Sequence, residues 1–240
     1  MSSLLTTFGI VLLAAVAQAV SGFGFALVAV PLLAVTTDAR TAVVATSLAS
    51  LALTLITMAR EWRYVRWRTA GLLTGTAVLG MPVGLLILVV TPDRLLTALI
   101  AVVVLGCAML VWSGVRMRTG RPAVGAVGVL VGVLTTATGA NGPPLVAAFH
   151  SFGYDPRTFR ATLAAIFTGS GAIGIVGFLA AGQVDAGTLR IAVLGLPAVA
   201  LGWWLGNRVF ARVGPATFRR ITLVGLTASA GAAIVQSLTG

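Results

Sequence analysis

The sequence predicts an all-α polytopic membrane protein made of two inverted-topology repeats. The first reason is its composition: 58% of the residues are apolar and 9% are charged, with a mean hydropathy of +1.06. Soluble domains carry about 25% charged residues, so this charge deficit excludes a water-solvated fold. The second reason is that apolar runs of about 20 residues, the length that crosses a bilayer, recur along the chain. The third is a glycine-rich interruption at a matching place in each half.

Ten hydrophobic segments are expected, five in each half. They cover 4–20, 23–37, 41–60, 69–91 and 93–115, then 123–138, 142–153, 158–180, 187–210 and 216–238. The last three of each set are long enough to span the hydrocarbon core. The first two of each set are shorter. They form either two short spans or a re-entrant hairpin with the glycine-rich break at its tip.

The two halves repeat the same markers in the same order. A shift of 117 residues places Gly22 on Gly139, and a shift of 122 places Gly80-x-x-x-Gly84 on Gly202-x-x-x-Gly206. This order indicates an internal duplication, with repeats at 1–118 and 119–240. The paired Gly-x-x-x-Gly motifs predict seams where two membrane helices pack closely.

The distribution of arginine predicts the orientation. All sixteen basic residues are arginine, and the net charge is +11. The loop 60–68 holds four of them, whereas the corresponding loop of the second half, 181–186, holds none. Arginine-rich loops stay in the cytoplasm, so corresponding loops lie on opposite sides, as in the inverted repeats of secondary transporters. Thirteen arginines are then cytoplasmic, both termini lie outside, and three arginines do not face the cytoplasm: Arg40, Arg94 and Arg190.

Two breaks interrupt the apolar sequence, Ser21-Gly22-Phe23-Gly24-Phe25 and Gly139-Ala140-Asn141-Gly142-Pro143-Pro144. Glycine costs about 1 kcal/mol and proline about 3 kcal/mol inside a helix. Lipid cannot satisfy the backbone groups that a break exposes, so such breaks face protein or a watery cavity. The N-terminal end of a helix presents free N–H groups and partial positive charge, which bind anionic oxygens. We therefore expect the two breaks to face each other around an anion.

The residues expected to bind this substrate are glycines, which let a ligand approach the backbone, and neutral hydrogen-bond donors with their neighbours. The alternatives are helix packing for the glycines and bonding to the local backbone for the hydroxyls. The predicted set is Gln18, Ser21, Gly22, Phe23, Gly24, Thr46, Ser47, Thr138, Gly139, Asn141, Gly142 and Pro143.

Four charged or titratable residues near the segment ends have two interpretations each. His150, the single histidine, is a candidate proton carrier or a satisfied interfacial histidine. Arg160 is expected to snorkel towards the interface, with a role in cytoplasmic entry as the alternative. Asp38 and Asp155 precede segments and are expected to cap turns, the alternative being a gate.

Composition also limits coupling and cofactors. The five acidic residues lie between apolar segments, which argues against a cationic substrate because carriers of cations hold carboxylates within the membrane. Protons or sodium ions remain candidate coupling ions. The lone cysteine, Cys107, excludes an internal disulfide and a cysteine-rich metal site. The chain has no Walker A sequence, and no metal, cofactor or nucleic-acid partner is expected.

Several stretches resemble the sulfite exporter TauE/SafE family of membrane permeases. They are Ser21–Phe25, Val30-Pro31-Leu32-Leu33 and Ala42–Leu48, with Gly139–Leu145 and Arg160-Ala161-Thr162 as the second-half repeat. The resemblance implies transport, often outward, of small organic or sulfur-containing anions such as sulfite or sulfoacetate. It thus favours an inner-membrane secondary transporter that works by alternating access, and not an enzyme. An anion channel and an intramembrane serine hydrolase using Ser21 and His150 are the alternatives.

Overall fold

The computed structural model describes residues 2–113, 121–150 and 152–212 of the chain. These residues form α-helices and one short 3-10 helix, Trp62–Tyr64, and contain no strand. The helices are α1 (Ser2–Ser21), α2 (Phe25–Ala34), α3 (Ala39–Glu61), α4 (Trp67–Val90), α5 (Asp93–Ser113), α6 (Arg121–Ala137), α7 (Gly142–His150), α8 (Pro156–Ala180) and α9 (Ala186–Phe210). They match the first nine predicted segments. The tenth, 216–238, and the repeat boundary at 118/119 lie outside the described residues.

Four of these helices are long and apolar enough to cross a membrane: α3 with its 3-10 extension, α4, α8 and α9. By contrast, α2 has 10 residues and α7 has 9. At 1.5 Å per residue such helices rise about 15 Å, half the thickness of the hydrocarbon core. Neither α2 nor α7 therefore crosses a bilayer.

The described arginines separate to the two ends of the helix bundle. The larger group lies where α3 and α9 finish and α4 and α8 begin, and we call this end of the bundle the arginine-rich end. Its members are Arg60, Arg63, Arg66, Arg68, Arg157, Arg160, Arg208 and Arg212. At the opposite end, the guanidinium of Arg40 donates to the carbonyls of Leu88 and Thr91, at 3.1 and 3.2 Å, where α4 finishes. Eight of the thirteen arginines predicted to be cytoplasmic therefore lie at one end of the bundle.

The predicted packing seams are also confirmed. A methyl group in place of the Gly80 hydrogen would lie 2.0 Å from the carbonyl oxygen of Val129, so α4 and α6 approach as closely as glycine allows. At Gly202 the same methyl would lie 2.5 Å from Ala15 Cβ and 3.0 Å from the oxygen of Leu12. Small residues thus let α9 pack on α1 as α4 packs on α6.

The register of these seams fixes the helix directions. Gly80 and Gly84 meet Val129 and Val133 in the same order, so α4 and α6 are parallel. By the same argument α1 and α9 are parallel, and α1 runs towards the arginine-rich end. Since α2 leads back to the start of α3 at the opposite end, α1 and α2 form a helical hairpin with its tip at the first break. The hairpin of α6 and α7 points the other way, with its tip at the second break.

Aspartates cap the starts of the long helices, as expected. Asp38 accepts the N–H of Thr41 at 2.8 Å, and Asp155 accepts the N–H groups of Arg157 and Thr158, both at 3.1 Å. The hydrogen bonds from Thr158 hold the pKa of the Asp155 carboxyl below its ordinary value. Such caps satisfy N–H groups that have no acceptor within the helix.

Candidate functional site

The first break is held by backbone conformation and by the Ser21 hydroxyl. Gly22 and Gly24 have φ of +80° and +107°, a region that side chains with a Cβ rarely adopt. Ser21 Oγ donates to the Ala17 carbonyl at 2.7 Å and accepts the N–H of Phe23 at 3.2 Å. The Ser21 hydroxyl therefore closes the end of α1, and it is engaged by backbone instead of facing a ligand.

The second break repeats this arrangement. Thr138 Oγ1 donates to the Leu134 carbonyl at 3.2 Å and accepts the N–H of Ala140 at 3.3 Å. Gly139 follows with φ of +70°. Thr138 and Gly139 thus occupy the roles that Ser21 and Gly22 have in the first break, at the 117-residue shift that the sequence predicted.

The two breaks are in direct contact. A methyl on Gly142 would lie 2.8 Å from Phe23 Cβ, and a methyl on Gly139 would lie 3.1 Å from Ala26 Cβ. Phe23 is fully buried at this junction. The start of α2 and the start of α7 therefore face each other, as the sequence predicted.

A cavity of about 40 Å³ lies between the breaks, and we call it the central cavity. A cavity needs roughly 10–15 Å³ to hold one water, so the central cavity is large enough to be hydrated. Its wall combines the start of α2, the second break and the middles of α3 and α8: Gln18, Gly24, Phe25, Ala26, Leu27, Ser47, Ser50, Thr135, Gly139, Ala140, Asn141, Gly142, Phe167, Gly171, Gly174 and Phe178.

The two breaks offer different numbers of amide donors to this cavity. Phe25, Ala26 and Leu27 form the first turn of α2, where N–H groups have no carbonyl of their own helix to bind. In α7 the second and third positions are Pro143 and Pro144, which have no N–H. The first break is therefore the richer donor. The second contributes Asn141, whose side-chain amide donates to Thr135 Oγ1 at 2.8 Å.

Six of the twelve predicted substrate-binding residues line the central cavity: Gln18, Gly24, Ser47, Gly139, Asn141 and Gly142. The other six, which support the breaks or are buried in neighbouring packing, do not line it: Ser21, Gly22, Phe23, Thr46, Thr138 and Pro143. Thr46 is buried, and its hydroxyl has no hydrogen-bond partner among the described residues. The side chain of His150 lies outside the described ones.

Sequence reasoning missed the aromatic and α8 part of the wall. Phe167, Gly171 and Gly174 line the cavity from the middle of α8, and Phe178 completes this side. Gly171 and Gly174 are three positions apart and so share one helix face, and this pair of small residues is a usable signal. The aromatic residues carry no comparable signal, because they resemble any apolar residue of a membrane span.

The prediction that Arg160 snorkels is wrong, because its side chain is buried and paired. Arg160 Nε donates to Glu61 Oε2 at 3.2 Å, and Nη2 contacts Glu61 Oε1. Nη1 donates to the Ala19 carbonyl at 2.9 Å, and Nη2 also donates to Asn207 Oδ1 at 3.0 Å. Burial here is stabilised because every face of the guanidinium finds an acceptor. Glu61 is likewise buried at the end of α3 and does not lie in an open loop.

Comparisons with known proteins agree on one family. Residues 7–233 match the family described as "Sulfite exporter TauE/SafE". The chain is 28% identical over 226 residues to "Probable sulfite/organosulfonate exporter TauE" of Cupriavidus necator, covering 88% of this chain and 87% of that protein. It is 29% identical over 188 residues to "Probable inner membrane transporter protein TsaS" of Comamonas testosteroni, covering 74% and 76%. No solved structure gives a significant match.

Proposed function

Because the chain belongs to the sulfite exporter TauE/SafE family, whose members are multi-pass inner-membrane transporters and not enzymes, we propose that it exports small sulfur-containing anions by alternating access. The observation that carries this proposal is the central cavity at the junction of the two helix breaks. In this proposal the anion binds there, between the start of α2 and Asn141.

The lining of the central cavity favours an anion over a cation. Its polar groups are the amides of Gln18 and Asn141, the hydroxyls of Ser47 and Ser50, and the N–H groups of the first turn of α2. None of the described residues that line it is a carboxylate. The N-terminal end of α2 adds the partial positive charge of a helix dipole, which stabilises bound oxyanions.

The size of the central cavity favours a very small guest. Its volume of about 40 Å³ exceeds what one water needs but is far below the roughly 300–1,000 Å³ of pockets that take drug-sized ligands. A longer organosulfonate fits only if the walls separate. Sulfite is therefore the first substrate to test, with sulfoacetate as the larger comparison.

The packing seams support a symmetry that relates the two halves of the chain, because each seam joins a helix of one half to a helix of the other. The pairing of Gly80 with Val129 is repeated by Gly202 with Leu12, with the partners exchanged between the halves. The two hairpins also point in opposite directions. We infer two inverted repeats, 1–118 and 119–240, related by a pseudo-twofold axis through the central cavity, with each hairpin re-entering the membrane from its own side.

The test is sulfite flux in proteoliposomes. A transporter gives slow, saturable flux and accelerated exchange when sulfite is present on both sides, whereas a channel gives single-channel current. Asn141→Leu should abolish flux while the protein still inserts and purifies. Normal flux in that variant would refute binding at the breaks. No sulfite flux in the wild type would refute the export of sulfite.

The hydrolase alternative has no support in the geometry. Among the described side chains, Ser21 Oγ contacts no base that could activate it as a nucleophile, and it is bonded to the Ala17 carbonyl and to the Phe23 N–H. Coupling to protons or sodium stays a prediction.

A further inference from the structure

A second and wider cavity of about 410 Å³ lies at the arginine-rich end. We call it the arginine vestibule. It is lined by three arginines together with one carboxylate, an amide and an indole: Arg60, Arg157, Arg160, Glu61, Asn207 and Trp203. Three guanidinium groups thus face a single carboxylate, so the lining carries two more positive than negative charges.

We propose that the arginine vestibule is a second anion-binding station, in which the Glu61 carboxylate occupies the place on Arg160 that a transported oxyanion takes. This rests on the proposed function, since the ligand is the same class of small oxyanion. The vestibule lies on the side predicted to be cytoplasmic, so it would receive the anion before the central cavity does.

The geometry at Arg160 is that of an oxyanion site already filled. Glu61 approaches the guanidinium through two oxygens, with Oε2 accepting from Nε at 3.2 Å and Oε1 contacting Nη2. This two-pronged arrangement suits any planar or pyramidal group with paired oxygens, including sulfite and sulfonates. Asn207 Oδ1, an uncharged acceptor, receives a hydrogen bond from Arg160 Nη2 at 3.0 Å.

Glu61 has a second cation to which it can move. Arg157 Nε lies 3.7 Å from Glu61 Oε1, and the Arg157 side chain is 53% exposed, compared with 5% for Arg160. When an anion takes Arg160, Glu61 can swing towards Arg157 and keep a positive partner. A buried charge without a partner is costly, and this exchange leaves neither Glu61 nor Arg160 without one.

Arg160 also connects the vestibule to the first break. Its Nη1 donates to the Ala19 carbonyl at 2.9 Å, in the last turn of α1. A methyl placed on Gly22 would lie 3.3 Å from Arg160 Cγ. Replacement of Glu61 by an anion therefore occurs in contact with the backbone turn that leads to the central cavity.

The test measures sulfite binding to purified protein by calorimetry in the Asn141→Leu background, where the central cavity is blocked. One sulfite should still bind. Adding Glu61→Gln, which keeps the shape and removes the competing charge, should tighten that binding about tenfold, the low end for a close charge pair. Arg160→Gln should abolish it. Arg63→Gln, an exposed arginine at the same end, is the matched control and should have no effect.

Loss of all sulfite binding in Asn141→Leu, with no gain from Glu61→Gln, would overturn the second station while leaving the central site intact. Failure of the proposed function has a different signature, namely no sulfite flux through the wild type in proteoliposomes. If Arg160→Gln does not fold, the response to Glu61→Gln alone decides, because a merely structural pair predicts lower stability and no tighter binding.

Discussion

Phe23 packs directly against the α-carbon of Gly142, with space for no more than the glycine hydrogen between them. The contact joins a residue of the first helix break to a residue of the second. Because both breaks also line the central cavity, this junction sets how closely the two hairpin tips approach. A larger side chain at this junction should therefore displace both helix breaks at once.

Gly142→Ala should impair transport by forcing the breaks apart. The added methyl would lie 2.8 Å from Phe23 Cβ and 3.0 Å from Cδ2, and overpacking of this kind costs about 1–3 kcal/mol. Sulfite flux should fall and the melting temperature should drop. Phe23→Gly removes the Cβ and the ring that this methyl meets, so Gly142→Ala should cost less in that background than in the wild type, measured as a double-mutant cycle.

The control for that cycle is Gly125→Ala on α6, where a methyl meets nothing within 4 Å. It should leave flux and melting temperature near wild type. If Gly142→Ala costs as much in the Phe23→Gly background as in the wild type, the two residues are not coupled and the junction does not set the approach of the breaks.

The packing seams give a stability prediction on a single helix. Gly84→Ala places a methyl 2.2 Å from the Val133 carbonyl oxygen, a backbone atom that has no room to move. Gly75→Ala, on the same α4, meets nothing within 4 Å and gains about 1 kcal/mol of helix propensity. Gly84→Ala should therefore lower the melting temperature in detergent and Gly75→Ala should not. Equal effects would show that α4 and α6 do not pack through this seam.

Much of the backbone plan could be predicted from the sequence, because it depends on local chemistry. Glycine and proline in apolar sequence indicated the breaks at Gly22 and Gly139, and the repeated Gly-x-x-x-Gly spacing indicated the helix seams. The signal from the breaks is strong because lipid cannot satisfy the backbone groups of an interrupted helix, which must therefore face protein or a watery cavity. The same reasoning left open whether the short segments span or turn back, which depends on packing directions that only the structure supplies.

The Arg160–Glu61 pair could not be predicted in this way. The two residues are 99 positions apart and each lies at the end of an apolar segment, where hydropathy alone suggests exposure to the interface. Their pairing follows from the packing of α3 against α8, which is tertiary structure that local sequence patterns do not encode. The sequence also left two roles open for the Ser21 hydroxyl, a ligand or its own helix backbone, and in the structure it bonds to the backbone at the end of α1.

The cap at the start of α8 predicts a dependence of stability on pH. The pKa of Asp155 is lowered in the folded protein by hydrogen bonds from Thr158. The stabilisation is therefore present above the ordinary carboxyl pKa of about 3.9 and is lost as pH falls through the lower folded value. Asp155→Ala should cost about 1 kcal/mol at neutral pH. Asp155→Asn keeps a cap oxygen but does not titrate, so it should cost less. Below about pH 4 its melting temperature should change less with pH than that of the wild type.

An unchanged acid response in Asp155→Asn would assign the pH dependence to another group. Asp38 is the natural second candidate, since its pKa is also lowered: burial raises it, but hydrogen bonds from Thr41 and the nearby charge of Arg40 together lower it by more. The double variant with Asp38→Asn separates the two caps.

Asn141→Asp tests whether the central cavity selects an anion by electrostatics. The substitution keeps the shape of the side chain but removes the hydrogen bond that the amide donates to Thr135 Oγ1. It also places a carboxylate in a wall that is otherwise neutral. Repulsion of only ~1.4 kcal/mol would weaken sulfite binding about tenfold, so the KM for sulfite flux should rise by at least about that factor. Gln183→Glu makes the same amide-to-carboxylate change beyond the end of α8, away from the cavity, and should leave KM unaltered. A KM that stays constant in Asn141→Asp would mean that the anion binds elsewhere, whatever the effect on expression or stability.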